Sequence, residues 1–277
     1  MSSRLKLGLA LGAGSARGYA HIGVLKVLQK HLTIDLIAGS SMGALVGAFY
    51  CCGTDLDLLG KLAAEMGGKK LWDVSFAKRG FVKGERIHYL LELLTKGKDF
   101  EDVSLPFCCT ACDITTGERV VFDSGSIADA VRASISIPGI FVPYEWQGHV
   151  LVDGGLVERV PVCAAAERGA EFIIGVDVGY RGEEREQPRK LVDVVQYSLD
   201  IYSWENVKHN SIGADVMIVP NVRHLSPSSF GNPEEMIAAG EQAALEALPE
   251  ILERYGQKNT RQIDRCRAEG TRRVRGE

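Results

Sequence analysis

The residues best placed to do chemistry form a short run, Gly39-Ser40-Ser41-Met42-Gly43. The pattern is G-x-S-x-G, in which a serine on a sharp strand-to-helix turn exposes its hydroxyl as a nucleophile. Gly39 and Gly43 let the backbone pass closely where a Cβ would clash. The helix N-terminus behind Ser41 favours negative charge. With 31 glycines in the chain such a pattern arises by chance; its place between an apolar strand and an apolar helix is what singles it out. A second run, Gly12-Ala13-Gly14-Ser15-Ala16-Arg17-Gly18, also lies between a strand and a helix. Such a turn aims several backbone N–H groups at one point. That suits a phosphate, or the oxyanion of an acyl-transfer intermediate.

Nucleotide binding is the weaker use of this loop. The dinucleotide spacing G-x-G-x-x-G needs glycine where Arg17 stands, and Asp35 lies near the start of the second strand, not its end. No Walker lysine follows the glycines. A serine nucleophile also needs a base. In the usual chain order of Ser, Asp or Glu, then His, His209 and His224 come late enough. Yet His209 falls on a predicted helix, and His224 in a polar loop beside Ser226 and Pro227. Asp153 ends a short strand and precedes Gly154 and Gly155, which gives it backbone freedom to enter a site. A plain Asp-Gly-Gly turn is the competing reading.

These residues need elements to hold them. Residues 6–11 predict a strand, 17–31 a helix through the three- and four-residue spacing of Ile22, Val24, Leu25, Val27 and Leu28. Residues 34–38 predict a second strand, followed by a helix through Tyr50. Strand, helix, strand, helix implies a parallel sheet with crossover helices. Helices follow at 55–66 and 85–95, then a hairpin of strands 107–113 and 119–123 turning at Thr115-Thr116-Gly117. A helix at 127–134 stops before Pro138-Gly139. Residues 149–152 predict a strand, Pro161 opens a helix ending near Gly169, and strands at 172–178 and 215–219 flank a helix at 191–209. A helix at 234–255 closes the domain. Residues 72–83 read as irregular; Trp72, Phe76 and Phe81 among Lys78, Arg79 and Lys83 suit a cap over the core, or an interfacial surface.

Bulk properties restrict the function classes. The chain has 277 residues, 45% hydrophobic and 25% charged, as in a soluble globular protein. A net charge of −4 gives no argument for nucleic acid. The most apolar run, 42–53, falls short of the ~20 residues of a membrane span. Arg4 and Lys6 before an apolar stretch mimic a signal peptide, but cleavage would discard the Gly-rich turn, so export is rejected and a cytoplasmic place expected. Seven cysteines without a framework read as reduced thiols; Cys109 and Cys112, on a predicted strand, read as buried and structural, not as metal ligands. No metal and no cofactor is expected. We expect one domain over 5–255 and a basic, partly disordered tail over 256–277. After Ile251 the chain holds eight Lys or Arg against four Asp or Glu.

Together, GAGSARGYAHIG at 12–23, GSSMG at 39–43 and Asp153-Gly154-Gly155 resemble the patatin-like phospholipase family, in particular its bacterial cytosolic branch. Ser134 to Phe141 resembles the Ser- and Pro-containing segment before that family's aspartate, and Thr115 to Glu118 its hairpin turn. The resemblance runs from about residue 6 to 220. It implies an α/β fold, a three-layer α/β/α sandwich with a mainly parallel central sheet. It also implies a Ser–Asp dyad of Ser41 and Asp153 without histidine, an acyl-enzyme, and an oxyanion hole from the backbone N–H groups of Ala13, Gly14 and Ser15. Arg17 matches the family's loop cation and would order the loop or face an anionic substrate group. The substrate would be a phospholipid, lysophospholipid or related acyl ester, with transient contact at a membrane surface. The chain departs from the family by Ala13 and Ser15 within the glycine run, where positive φ is costlier, and by Glu158-Arg159 before Val160-Pro161. Those departures keep open a second reading, a regulatory or binding protein on the same scaffold.

Overall fold

The computed structural model describes residues 4–66, 74–77, 80–185, 187–189, 191–209, 213–227 and 230–274. The strands are β1 (Leu7–Leu11), β2 (Leu36–Ser40), β3 (Val74–Ala77), β4 (Gly80–Val82), β5 (Phe107–Asp113), β6 (Arg119–Phe122), β7 (Tyr144–Trp146), β8 (His149–Asp153), β9 (Phe172–Val176) and β10 (Val216–Ile218). The helices are α1 (Ala20–His31), α2 (Met42–Cys51), α3 (Leu56–Met66), α4 (Glu85–Thr95), α5 (Ile127–Ser134), α6 (Val162–Glu167), α7 (Leu191–His209) and α8 (Pro233–Val274).

An eight-stranded sheet runs in the order β10-β9-β1-β2-β5-β8-β7, with β6 also on β5. The strands β10, β9, β1, β2 and β5 are parallel, and β6, β7 and β8 are antiparallel additions at one side. Strands covered on both faces are apolar throughout, not alternating, and β1 reads LGLAL with every residue buried. Size sorts its two faces. Leu7, Leu9 and Leu11 enter the larger core with Ile22, Leu25, Leu28 and Phe49. Ala10 faces a thinner layer with Ala38, Cys108, Ala164 and Ala165. Helices α1, α2, α3 and α8 build the thick layer and α6 the thin one, giving the expected α/β/α sandwich with a mainly parallel sheet.

Several expected bounds move. The first helix opens with a 3₁₀ turn at Ser15–Tyr19. Strand β2 sits two residues later than the spacing predicts, because its pairing with β1 and β5 carries it to Ser40, while the Asp35 carboxylate accepts from Leu7 N–H at the strand's entry. Strand β7 goes unread in the sequence; it pairs with β8 through a two-residue turn at Gln147-Gly148, both at positive φ, the geometry that right-twisted hairpins favour. Where the sequence reads as irregular, β3 and β4 form an antiparallel ribbon. Trp72, Lys78 and Arg79, and the side chains of Phe76 and Phe81, lie outside the described residues, so the interfacial cluster does too. Helix α8 continues past 255 to Val274. Side chains beyond residue 261 lie outside the described residues. Among the described residues no helix is long and apolar enough to cross a membrane.

Cys51, Cys52, Cys108, Cys109 and Cys112 are buried free thiols, Cys109 and Cys112 as expected, whereas Cys163 is exposed. Cys109 and Cys112 stand three apart on β5, so the strand's period of two sends them to opposite faces.

Candidate active site

Ser41 occupies the turn between β2 and α2 with φ 53° and ψ −122°, a strained backbone that lifts the side chain out of the strand line. Sterics require glycine on both sides. A Cβ on Gly39 would meet the Ala44 backbone, and one on Gly43 the carbonyl of Leu11. Ser41 N–H donates to Ser134 Oγ at 2.9 Å, which ties the turn to the end of α5. The serine is 4% exposed.

Strand β5 brings the carboxylate. It pairs with β2 as far as Ser40↔Thr110 and then overshoots. Strand β8 runs back along the overhang, pairing Asp113↔Leu151, Cys112↔Val152 and Ala111↔Asp153. It therefore delivers Asp153 beside the end of β2. Ser41 Oγ donates to Asp153 Oδ2 at 2.5 Å, and Gly155 N–H donates to Oδ1 at 2.8 Å. Gly154 packs on the Thr110 carbonyl, and Asp153 N–H is held by the Ser136 carbonyl at 3.0 Å. Burial pushes the Asp153 carboxyl up to about 6; the bonds from Ser41 and Gly155 pull it down, and the charge of Asp200 adds to the rise. At neutral pH it is ionised and a proton acceptor.

The Gly-rich loop lies across from this pair, and one expected donor drops out. Ala13 N–H donates to the Arg159 carbonyl at 2.8 Å, so it is not free for an oxyanion. Gly14 and Ser15 N–H have no acceptor among the described residues. Ser15 takes the positive φ that an unbroken glycine run would take, at 52°, while Ala13 does not. The Arg17 guanidinium turns to groups of the chain itself, as loop ordering requires, while the residue also lines the cavity beside Ser41. Its Nε and Nη2 donate to the Leu225 and Arg223 carbonyls, and Nη1 to Glu183 Oε1 at 2.7 Å. His21, driven down to about 4 chiefly by burial, is neutral and donates Nε2–H to the Gly12 carbonyl at 2.8 Å.

Two cavities meet at Ser41. One is the more polar, lined by Gly14, Asp153, Arg159, Tyr180 and the α7 residues Gln196, Asp200 and Ser203, with Leu156 and Leu199 among its apolar walls. The other is apolar, lined by Leu45, Phe49, Leu59, Leu62, Leu90 and Phe141 among others. Ser15, Ser41 and Ile137 belong to both. Among the described residues no histidine lines either cavity. The His224 ring bonds Glu235 at 3.0 Å, and the His209 side chain lies outside the described residues.

Sequence reading misses Ser134 and Ser136 as the groups that hold Ser41 and Asp153. Their signal is membership of the 134–141 segment that carries part of the resemblance, and for Ser134 polarity in an apolar stretch; Ser136 acts through its backbone carbonyl, which any residue supplies. It misses Arg159 as well, whose guanidinium is buried against Asp177 at 2.5 Å while its carbonyl takes the loop's N–H. The departure at Glu158-Arg159 is thus structural: Glu158 Oε1 also accepts from Cys163 N–H and Ala164 N–H at the start of α6.

The chain is similar to known proteins in sequence and in fold. An NTE family protein of Mycobacterium tuberculosis is 36% identical over 181 residues, covering 64% of this chain and 50% of its own. The lysophospholipase NTE1 of Scheffersomyces stipitis is 31% identical over 180 residues, covering 62% of this chain and 12% of its own. The neuropathy target esterase sws of Drosophila melanogaster is 30% identical over 207 residues, or 72% of this chain and 14% of its own. The chain thus spans about half the length of the mycobacterial relative and far less of the others. In fold it is similar to VipD from Legionella pneumophila, with a TM-score of 0.63 at 16% identity, over 90% of this chain and 67% of that one. The family model for patatin-like phospholipase matches residues 9–166, more than half of the chain, and the chain belongs to that family.

Proposed function

We propose that the chain is a serine acyl hydrolase that cleaves carboxylic esters of lipids, with lysophospholipids and related acyl esters as its substrate class. The observation that carries this reading is the Ser41 Oγ to Asp153 Oδ2 hydrogen bond of 2.5 Å at the meeting point of an apolar and a polar cavity. The acyl chain lies in the apolar cavity and the leaving alcohol in the polar one. Ser41 Oγ attacks the ester carbonyl as Asp153 takes its proton. The N–H groups of Gly14 and Ser15 meet the oxyanion. The tetrahedral intermediate collapses, Asp153 returns the proton to the departing alcohol oxygen, and the acyl group stays on Ser41. Water then gives a proton to Asp153 and attacks the acyl-enzyme. A fatty acid leaves, and the proton goes back to Ser41 Oγ. Each step is carried by protein groups and water. Transient contact with a lipid surface follows from the amphiphilic substrate.

The test is labelling of Ser41 by a fluorophosphonate, with hydrolysis of p-nitrophenyl esters and lysophosphatidylcholine by wild type, Ser41→Ala and Asp153→Asn. Stoichiometric labelling and loss of turnover in both variants are expected. A protein that neither labels nor hydrolyses would instead be a binding module on this scaffold.

A further inference from the structure

One face of α7 walls the polar cavity. Gln196, Leu199, Asp200 and Ser203 recur at helical spacing and all line it. The cavity's arginines offer it little, because Arg17 and Arg159 direct their N–H groups to protein carbonyls and carboxylates. Ser203 Oγ donates to the Gly155 carbonyl at 3.4 Å. Two acceptors on α7 remain. Gln196 Oε1 is buried without a hydrogen-bond partner among the described residues. Asp200 has one carboxylate oxygen 3.0 Å from Arg185 Nη2. Arg185 in turn lies against two rings, its guanidinium carbon 3.6 Å from the Tyr180 centroid and 4.7 Å from that of Tyr197. That ion pair, close in distance but without hydrogen-bond geometry at the Arg185 nitrogens, sets the Asp200 carboxylate at the cavity wall. A buried acceptor without a donor, as Gln196 Oε1 is, is unfavourable, and a ligand that brings donors satisfies it; Asp200, ion-paired and 27% exposed at its side chain, offers a second carboxylate oxygen to the same ligand.

In the hydrolysis proposed above, the leaving alcohol departs on this side, since Asp153 lines the same cavity. A hydroxyl on the carbon adjacent to the one that bears the ester oxygen is then directed between Asp153 and the α7 face. We propose that Gln196 and Asp200 are specificity-determining residues that accept a hydrogen bond from a free hydroxyl vicinal to the scissile ester. The preferred substrates are then polyol esters with one acyl chain and an uncapped neighbouring hydroxyl. A monoacylglycerol and a 1-acyl-2-hydroxyglycerophospholipid share that group, and a diacyl lipid lacks it. The inference rests on the hydrolase reading and goes beyond it.

The experiment compares kcat/KM for 1-acyl-2-hydroxy- and 1-acyl-2-O-methyl-glycerophosphocholine, and for the matching pair of monoacylglycerols. It uses the full chain as wild type, Gln196→Leu and Asp200→Leu, with p-nitrophenyl butyrate and Ser41→Ala as the reference for hydrolysis itself. Wild type is expected to prefer the free hydroxyl by about tenfold or more in both pairs, as a site built to bond a hydroxyl rejects its capped analogue. Either leucine variant is expected to move that ratio toward one, a change that partial unfolding does not produce. A wild-type ratio near one, a ratio unchanged in both variants, or a preference confined to the phosphocholine pair overturns the proposal. If Ser41→Ala still abolishes p-nitrophenyl butyrate turnover, the hydrolase reading stands without it; if wild type hydrolyses no ester, both fall.

Discussion

The two cavities that meet at Ser41 are walled differently. The apolar one is cut into the main core: Phe49, Leu59, Ala63, Leu91 and Ile135 line it and also pack beneath the sheet. Its shape follows from side-chain volume and changes by steps of about 0.8 kcal/mol per buried methylene. The polar one is bounded by loops and one face of α7. Buried hydrogen bonds hold it, above all Arg17 to Glu183 and Arg159 to Asp177. Removing one partner there leaves a buried charge or carbonyl unmet, and the loss comes all at once. The acyl side is therefore built for graded selection and the leaving-group side for discrimination by single groups.

The largest expected effect ignores this division. Ser41→Ala removes the one atom both cavities serve, and turnover should fall by about 10⁴-fold or more whatever the ester. A loss confined to long-chain substrates would break the comparison. Asp153→Asn comes next, with a fall of about 10³–10⁴-fold in kcat. The same change should raise stability. Folding lifts the Asp153 value from 3.8 to about 6, so the protonated form favours the fold. That advantage is complete below about 3.8, is lost as pH rises through about 6, and is absent at pH 7. A neutral asparagine restores up to about 3 kcal/mol there, read by urea unfolding. In wild type, kcat/KM should rise with pH through about 6 and then level, as the base ionises. A flat profile from pH 5 to 8 would remove Asp153 from that role.

Smaller effects separate the cavities. Leu62→Trp fills the apolar one, and kcat/KM for long acyl chains should drop about 10–100-fold while acetyl esters change little. Equal losses on both chain lengths would show that the chain does not lie there. Arg17→Met strikes the polar side. It strands Glu183 and two carbonyls, and should cost about 3 kcal/mol of stability, with a lower kcat for every chain length because the Gly14–Ser15 turn loses its anchor. An unchanged urea midpoint would refute that anchoring.

Much of the scaffold is legible in the sequence because its signals are local. The β1 run, the three- and four-residue spacing of α1 and the Thr115-Thr116-Gly117 turn each need only neighbouring residues. Strand β7, three residues long, and the shifted β2 are not legible, since partner strands set their bounds. Asp153 is an intermediate case: its turn marks it as a candidate, but the resemblance to a family is what selects it over a plain turn.

By itself, then, the sequence determined the strand–turn–helix at Ser41, because Gly39 and Gly43 stand within two residues of it and the strain is local. Tertiary structure alone decided what faces that serine. Asp153 lies 112 residues away and reaches it through the overhang of β5. Ala13 loses its donor to the carbonyl of Arg159, and Arg17 turns inward to a loop more than 200 residues on. Distant hydrogen bonds and sheet register made those choices; the Asp-Gly-Gly turn marks Asp153 only as a candidate, and the residues beside Ala13 and Arg17 do not mark theirs.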